Sequence, residues 1–216
     1  MTNRAPVRQP EARPALRADA ARNRAQLLDA ARRELATGTT ALPMNLIARS
    51  AGVGVGTVYR HFPTQQSLLE GLAHGSLETL VAETEAAGEL ADPAEGLERM
   101  LRSAVRCQLA DPALAAVLSG PSFECIETFE LGARLADAGS KLLRRAVRAR
   151  AIRRSIGADD LRRLASGLYH ALQAGNDPAE HLERYLRVIV DGLRPWPERH
   201  EPFDKSAGRA LFAHLR

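Results

Sequence analysis

This sequence predicts an all-α fold, on three observations. Apolar residues recur at helical spacing over most of the chain, Leu and Ala dominate while aromatics make up only 4%, and clear helix-start signals punctuate the segments. The 216 residues leave room for one or two compact domains, each with a real core.

The charge is unevenly spread. Formal net charge is +4, and Lys141 and Lys205 are the only lysines among the basic residues. The first 33 residues carry eight Arg against Glu11, Asp19 and Asp29, whereas Ser76 to Met100 carries seven acids against Arg99 alone. A basic end and an acidic middle are thus separate surfaces, and a modest positive excess is compatible with nucleic acid. Cys107 and Cys125 are the only cysteines and form no CxxC pair, which suits a reducing cytosol, though a redox switch stays open. With no apolar run of membrane-spanning length and no hydrophobic leader, a soluble, cytoplasmic protein without membrane contact is expected.

The elements are taken in chain order. Residues 1–18 hold three prolines without periodicity and read as a flexible basic arm. From Asp19 a helix is marked by Leu27, Leu28, Ala31 and Leu35, ending at Gly38, Thr39 and Thr40. Pro43 opens a short second helix over MNLIARSA, and Gly52 stops it. A third short segment runs to His61 and Phe62 and is closed by Pro63. Thr64 can cap a long helix over 64–86, whose stripe is Leu68, Leu69, Leu72, Ala73, Leu77, Leu80 and Val81.

Downstream, Asp92-Pro93-Ala94-Glu95 and Asp177-Pro178-Ala179-Glu180 are the same tetrapeptide, with Asp as N-cap, Pro in the first turn and Glu placed to close a capping box. Asp111-Pro112 repeats its first half. Helices are expected after each of these, with a long one over about 122–151 and another over 159–174, about nine in all. Domain limits are then 1–18 for the arm, 19–63 and 64–194 for two helical domains, and 195–216 for a weakly patterned tail.

AGVGVGTVYRHFP, residues 51–63, is the stretch that chooses a function. A dinucleotide loop needs a third glycine where Thr57 or Tyr59 stands, and a phosphate-binding P-loop needs a lysine, yet none precedes Lys141. A strand would have no neighbour to pair with. A helix, turn, helix arrangement remains, with Gly52 at the left-handed turn and Val53 and Val58 packing the second helix on the first. Gly54 and Gly56 each cost about 1 kcal/mol in a helix interior. Close approach to another backbone would explain them, and Gly54 alone could equally be fraying at the helix start. Thr57, Arg60 and His61 share one side, while Val58 and Phe62 point to the core.

IARSAGVGVGTVYRHFPTQQSLLEGL, with the preceding RNRAQLLDAARREL, resembles the DNA-binding signature of the TetR family of bacterial transcriptional regulators. The match covers about residues 20–75; beyond it the chain is similar to the family in helix count and in the IRRSIGADDLRRLASGL junction. The resemblance implies an N-terminal three-helix DNA-binding domain followed by a larger helical ligand-binding and dimerisation domain. It also implies a homodimer that places the helix over 53–61 in the major groove of double-stranded DNA. Thr57, Tyr59 and His61 would touch phosphates or base edges, Arg60 would share the polar side, and Val55 and Gly56 would lie close to bases. Arg22 and Arg24 would reach flanking phosphates, or be solvated helix ends. Two positions depart from the family pattern: Gln65 replaces a phosphate-binding Lys, and Pro43 replaces a capping Thr.

A ligand-responsive regulator, a repressor on a palindromic operator, is the function this implies. Candidate contacts to a small-molecule effector are Met100, Cys107, Phe123, Ile126, Phe129, Tyr169, His170 and Gln173, each of which could instead be ordinary core. For the dimer the last two helices supply Leu164, Leu168, Leu172, Tyr185, Leu186 and Ile189. The run KLLRRAVRARAIRR, 141–154, with seven basic residues, reads as a solvated helix end in preference to a site for an acidic ligand or DNA. No set of residues has metal-ligand spacing, so no metal, cofactor or enzymatic activity is expected; a non-specific architectural DNA binder without an effector is the alternative, with an enzyme ranked below it.

Overall fold

The computed structural model describes residues 12–37, 42–120, 122–174 and 177–195. Among them are nine helices and no strand: α1 (Ala12–Ala36), α2 (Met44–Ala51), α3 (Val55–His61), α4 (Gln65–Gly88), α5 (Pro93–Ala110), α6 (Pro112–Ser119), α7 (Ile126–Arg148), α8 (Ala158–Gln173) and α9 (Pro178–Leu193). None of these helices is long and apolar enough to cross a membrane.

Helix α1 begins seven residues before Asp19, so the stretch expected to be a flexible arm is helical from Ala12. The Ala, Arg and Leu residues there are strong helix formers, and Pro14 falls in the first turn, where its missing N–H breaks no helical bond. Residues 1–11, the stop at Gly38–Thr40 and the tail beyond residue 195 lie outside the described residues.

The head is built by chain breaks. Pro43 is extended ahead of α2, and Gly52 turns the chain with φ +69, sending its own N–H to the Arg49 carbonyl and that of Val53 to the Ala48 carbonyl. Helix α3 starts at Val55 rather than residue 53, because Gly54 is extended as its N-cap. Thr64 caps α4: its hydroxyl accepts the Ser67 N–H, and Ser67 Oγ accepts the Thr64 N–H in return. That reciprocal bond was expected at the Asp-Pro-Ala-Glu boxes. There, Asp92 accepts from the Ala94 N–H and Asp177 from the Glu180 N–H, so the Asp half of each box is in place.

Two buried clusters organise the molecule. The first joins Leu27, Ala31, Leu42, Ile47, Val58 and Phe62 of the head to Leu68, Leu72, Leu77 and Leu80 of α4, and continues into Leu114 and Val117 of α6. Helix α4, about 36 Å long at helical rise, therefore belongs to the head's core as much as to the helices after it. The second cluster packs Leu97, Leu101 and Val105 of α5 with Leu142 and Ala146 of α7, Leu161, Leu168 and Leu172 of α8, and Leu186 of α9. Arg102 clamps α5 to α9 through a two-pronged bond to Glu183 at 2.9 and 2.8 Å.

Helix α7 is shorter than its apolar pattern suggests. Residues 122–124 do not join it, and Arg150, in the left-handed region at φ +56, ends it as the Arg150 and Ala151 N–H groups return to the Val147 and Ala146 carbonyls. Part of the basic run over 141–154 is committed to structure. Arg145 donates to the Gly88 and Leu90 carbonyls at the end of α4, and Arg153 to the Gly192 carbonyl.

Candidate nucleic-acid interface and ligand cavity

Helix α3 has one buried edge. Val58 is fully buried and Phe62, just past the helix, nearly so, which holds the opposite side away from the core. Val55, Gly56, Tyr59 and Arg60 are exposed there, with Thr57 and His61 half-buried beside them. Tyr59 keeps 51% of its surface in solvent, a large exposure for an aromatic side chain anchored on a rigid helix. A Cβ built at Gly54 or Gly56 would meet no atom within 4 Å, so protein packing does not explain either glycine. Pro43 and Gln65 are exposed at the starts of α2 and α4.

The two arginines of α1 differ. Arg22 is exposed and paired with Asp19 one turn earlier. Arg24 stands over the Phe62 ring, 5.0 Å from its centroid, and its guanidinium packs near Gly71 of α4. It is therefore engaged in joining α1, α3 and α4, and is not merely a solvated helix end.

A polar joint ties α4 to the start of α7. Glu70 is completely buried, yet its carboxylate accepts the Glu124 and Cys125 N–H groups at 2.7 Å each, the Thr128 hydroxyl, and Gln66 Nε2 at 3.0 Å. The two backbone donors belong to the start of a helix, where N–H groups lack intrahelical partners and negative charge is favoured. Burial pushes the carboxyl pKa up, but the bonds from Thr128, Glu124, Cys125 and Gln66 outweigh it and hold the value below the ordinary range. Beside it, Cys125 is pushed up to about 11, by burial and then by its contact with Glu70. Burial also raises Cys107. Both thiols therefore stay protonated near neutral pH, an environment opposed to redox switching.

Between α4, α5, α6, α7 and α8 lies a cavity of about 770 Å³, well within the size range of small-molecule sites. Leu80, Leu101, Ala104, Val117, Leu118, Leu135, Leu161 and Ala165 give it an apolar wall. Of the eight expected effector contacts, Met100 and Phe123 line it. Cys107 packs against the first cluster, and Ile126 and Phe129 point outward with 65% and 56% of their surfaces exposed. Tyr169 is buried with His170 edge-on at 5.0 Å, and Gln173 is exposed, all three apart from the lining. The Phe123 ring rests on Gly132 of α7, where a Cβ would stand 2.2 Å from it.

The expected dimer residues also divide. Leu168, Leu172 and Leu186 lie in the protomer's own second cluster, so a partner chain cannot reach them. These helices carry apolar residues on more than one edge, and the sequence does not mark which edge faces inward. Leu164, Tyr185 and Ile189 are half-buried at the edge of that cluster, next to Val188, which has 67% of its surface in solvent.

Sequence reasoning passed over Glu70, Thr84 and Gln108. Each carries a faint signal: a polar residue at a position where the helical period demands an apolar one. Glu70 stands three and seven residues before Ala73 and Leu77; Thr84 follows Leu77, Leu80 and Val81 by seven, four and three; Gln108 follows Leu101 and Val105 by seven and three.

Comparison with known proteins accords with this architecture. Residues 27–72 match the family described as bacterial regulatory proteins, tetR family, and residues 92–195 match the C-terminal domain described as transcriptional regulator SbtR-like. A TetR transcription regulatory protein from Mycobacterium vanbaalenii is 35% identical over 83% of this chain and 99% of its own, with a TM-score of 0.44. The TetR family transcriptional regulator PfmR from Thermus thermophilus is 22% identical over 81% and 96%, with a TM-score of 0.56. FadR from Bacillus subtilis, solved in complex with stearoyl-CoA, is 20% identical over 78% and 98%, with a TM-score of 0.54. The last two are likenesses of fold. No curated protein matches.

Proposed function

The chain belongs to the TetR family of bacterial transcriptional regulators, and on that premise we propose that it is a repressor whose homodimer releases a palindromic operator when a small molecule fills the cavity among α4 to α8. The Glu70 joint is the observation that carries this reading.

DNA contact falls to α3. Tyr59, Thr57, Arg60 and His61 meet phosphates and base edges, and Val55 and Gly56 bring the backbone close to the groove floor. Gln65 donates to phosphate as a neutral group, so fewer counterions are released than with a lysine there. Arg22 reaches a flanking phosphate by giving up its exposed pair with Asp19, a small loss. Two copies read half-sites about 34 Å apart, and a shift of a few ångströms between them breaks register.

Coupling runs through consecutive contacts. Ser122 and Phe123 line the cavity, and the next two residues give their N–H groups to Glu70. Glu70 is fixed on α4, and one residue on, Gly71 lies against Phe62 and Arg24 of the head. A ligand that moves Phe123 therefore moves the end of α4 that carries the head, and needs differential affinity for the two positions to do so. Dimerisation uses the outer faces of α8 and α9 around Leu164, Tyr185, Val188 and Ile189.

Selection of bound sequences from random DNA tests the reading. A repressor of this kind enriches one palindrome and protects it in footprinting. Enrichment of no sequence, with steep salt dependence, would establish the architectural alternative instead.

A further inference from the structure

Two polar side chains on the cavity wall are left without partners. Thr84 of α4 and Gln108 of α5 are both buried, at 0% and 1% exposure, and both line the cavity. Gln108 Nε2 donates to the Ala104 carbonyl at 3.0 Å, which orients the amide and leaves Oε1 with no donor. The Thr84 hydroxyl has neither donor nor acceptor. Buried polar atoms are nearly always bonded, so two orphans on one cavity wall point to a ligand that completes them.

The rest of the lining restricts that ligand. Its charged members are Asp159 and Arg162, which are exposed and bonded to each other at 2.7 Å. Arg162, the cation among the described lining residues, is already paired with Asp159, so an anionic ligand would bury its charge unpaired or have to compete with Asp159. Contacts from Ser76 to Asp111 and from Ser103 to Glu83 set α4 and α5 antiparallel. In that register Thr84 and Gln108 are roughly 8 Å apart along the helix axes.

Resting on the reading of this cavity as the effector site, we propose that the effector is an uncharged, largely apolar molecule with a hydroxyl or amide N–H that donates to Gln108 Oε1. A second polar group of the same molecule bonds the Thr84 hydroxyl.

Titrating the full chain with 2-naphthol, naphthalene and 2-naphthoate tests this, read by calorimetry. The alcohol should bind roughly tenfold more tightly than the hydrocarbon or the carboxylate. Gln108→Leu should bring the alcohol-to-hydrocarbon ratio close to one with naphthalene binding retained. Thr84→Val should melt no lower than the wild type, because it removes an unbonded buried hydroxyl, and Gln108→Leu should melt close to it, because losing the bond to Ala104 is offset by removing the unbonded Oε1. Tighter binding of the carboxylate, or an unchanged ratio in Gln108→Leu, overturns the proposal while leaving the cavity as the site. Failure of all three probes to bind, or naphthol binding that survives the cavity-filling Ala104→Phe, removes the cavity reading itself.

Discussion

The Glu70 carboxylate of α4 accepts the Cys125 N–H of the α7 start at 2.7 Å, and its other oxygen accepts that of Glu124 at the same distance. One buried side chain thus holds together the helix that carries the DNA-reading head and the segment that walls the cavity.

Replacing Glu70 with Ala strands the Glu124 and Cys125 N–H groups and leaves the Thr128 hydroxyl only the Cys125 carbonyl at 3.0 Å. A loss of about 3 kcal/mol in folding stability is expected, measured by urea unfolding. In the proposed mechanism, operator binding by the folded fraction persists while its response to ligand weakens. A full ligand response in Glu70→Ala would show that coupling takes another route.

The same group gives a pH dependence. Its pKa is lower in the folded state than the ordinary 4.5, so its stabilisation is complete above that value and lost as pH falls through the folded value. Below pH 4.5 the wild type should lose stability more steeply than Glu70→Gln. Parallel acid-unfolding curves for the two proteins would contradict this.

Tyr59→Ala removes an exposed ring that the core does not use. Helix content and dimer mass should be unchanged, and operator affinity should fall by about 1–3 kcal/mol. Normal binding would displace the reading face from α3.

For the proposed dimer, Val188 is the discriminating position. Val188→Glu places a charge on the outer face of α9 and should yield monomers by light scattering, with the fold retained. Leu186→Ala, which opens the protomer core, should cost about 2–5 kcal/mol of stability. A dimer that survives Val188→Glu would place the interface elsewhere.

Gly132→Ala drives a methyl into the Phe123 ring. Overpacking of this kind costs about 1–3 kcal/mol, and here the ring has the cavity to move into. The variant should bind ligand more weakly while reading DNA normally, which titration against a labelled operator would measure.

What the sequence by itself determined is local. The turn at Gly52 comes from a left-handed position only glycine fills easily, and the Thr64 cap from a hydroxyl placed before an apolar stripe. The exposed face of α3 is set by Val58 and Phe62 claiming the other side of a short helix, and the family signature lies in that same stretch. These features depend on neighbours a few residues away, so spacing encodes them.

Tertiary structure decided the rest, because it depends on which of two apolar edges each long helix turns inward. Leu168, Leu172 and Leu186 read as interface residues and are core, while Ile126 and Phe129 read as pocket and are surface. Glu70, Thr84 and Gln108 look like interruptions of apolar stripes. Only the packing of α4 against α5 and α7 gives the first its hydrogen bonds to α7 and leaves the other two facing a cavity, because partners some 55 residues away in the chain carry no periodic signal.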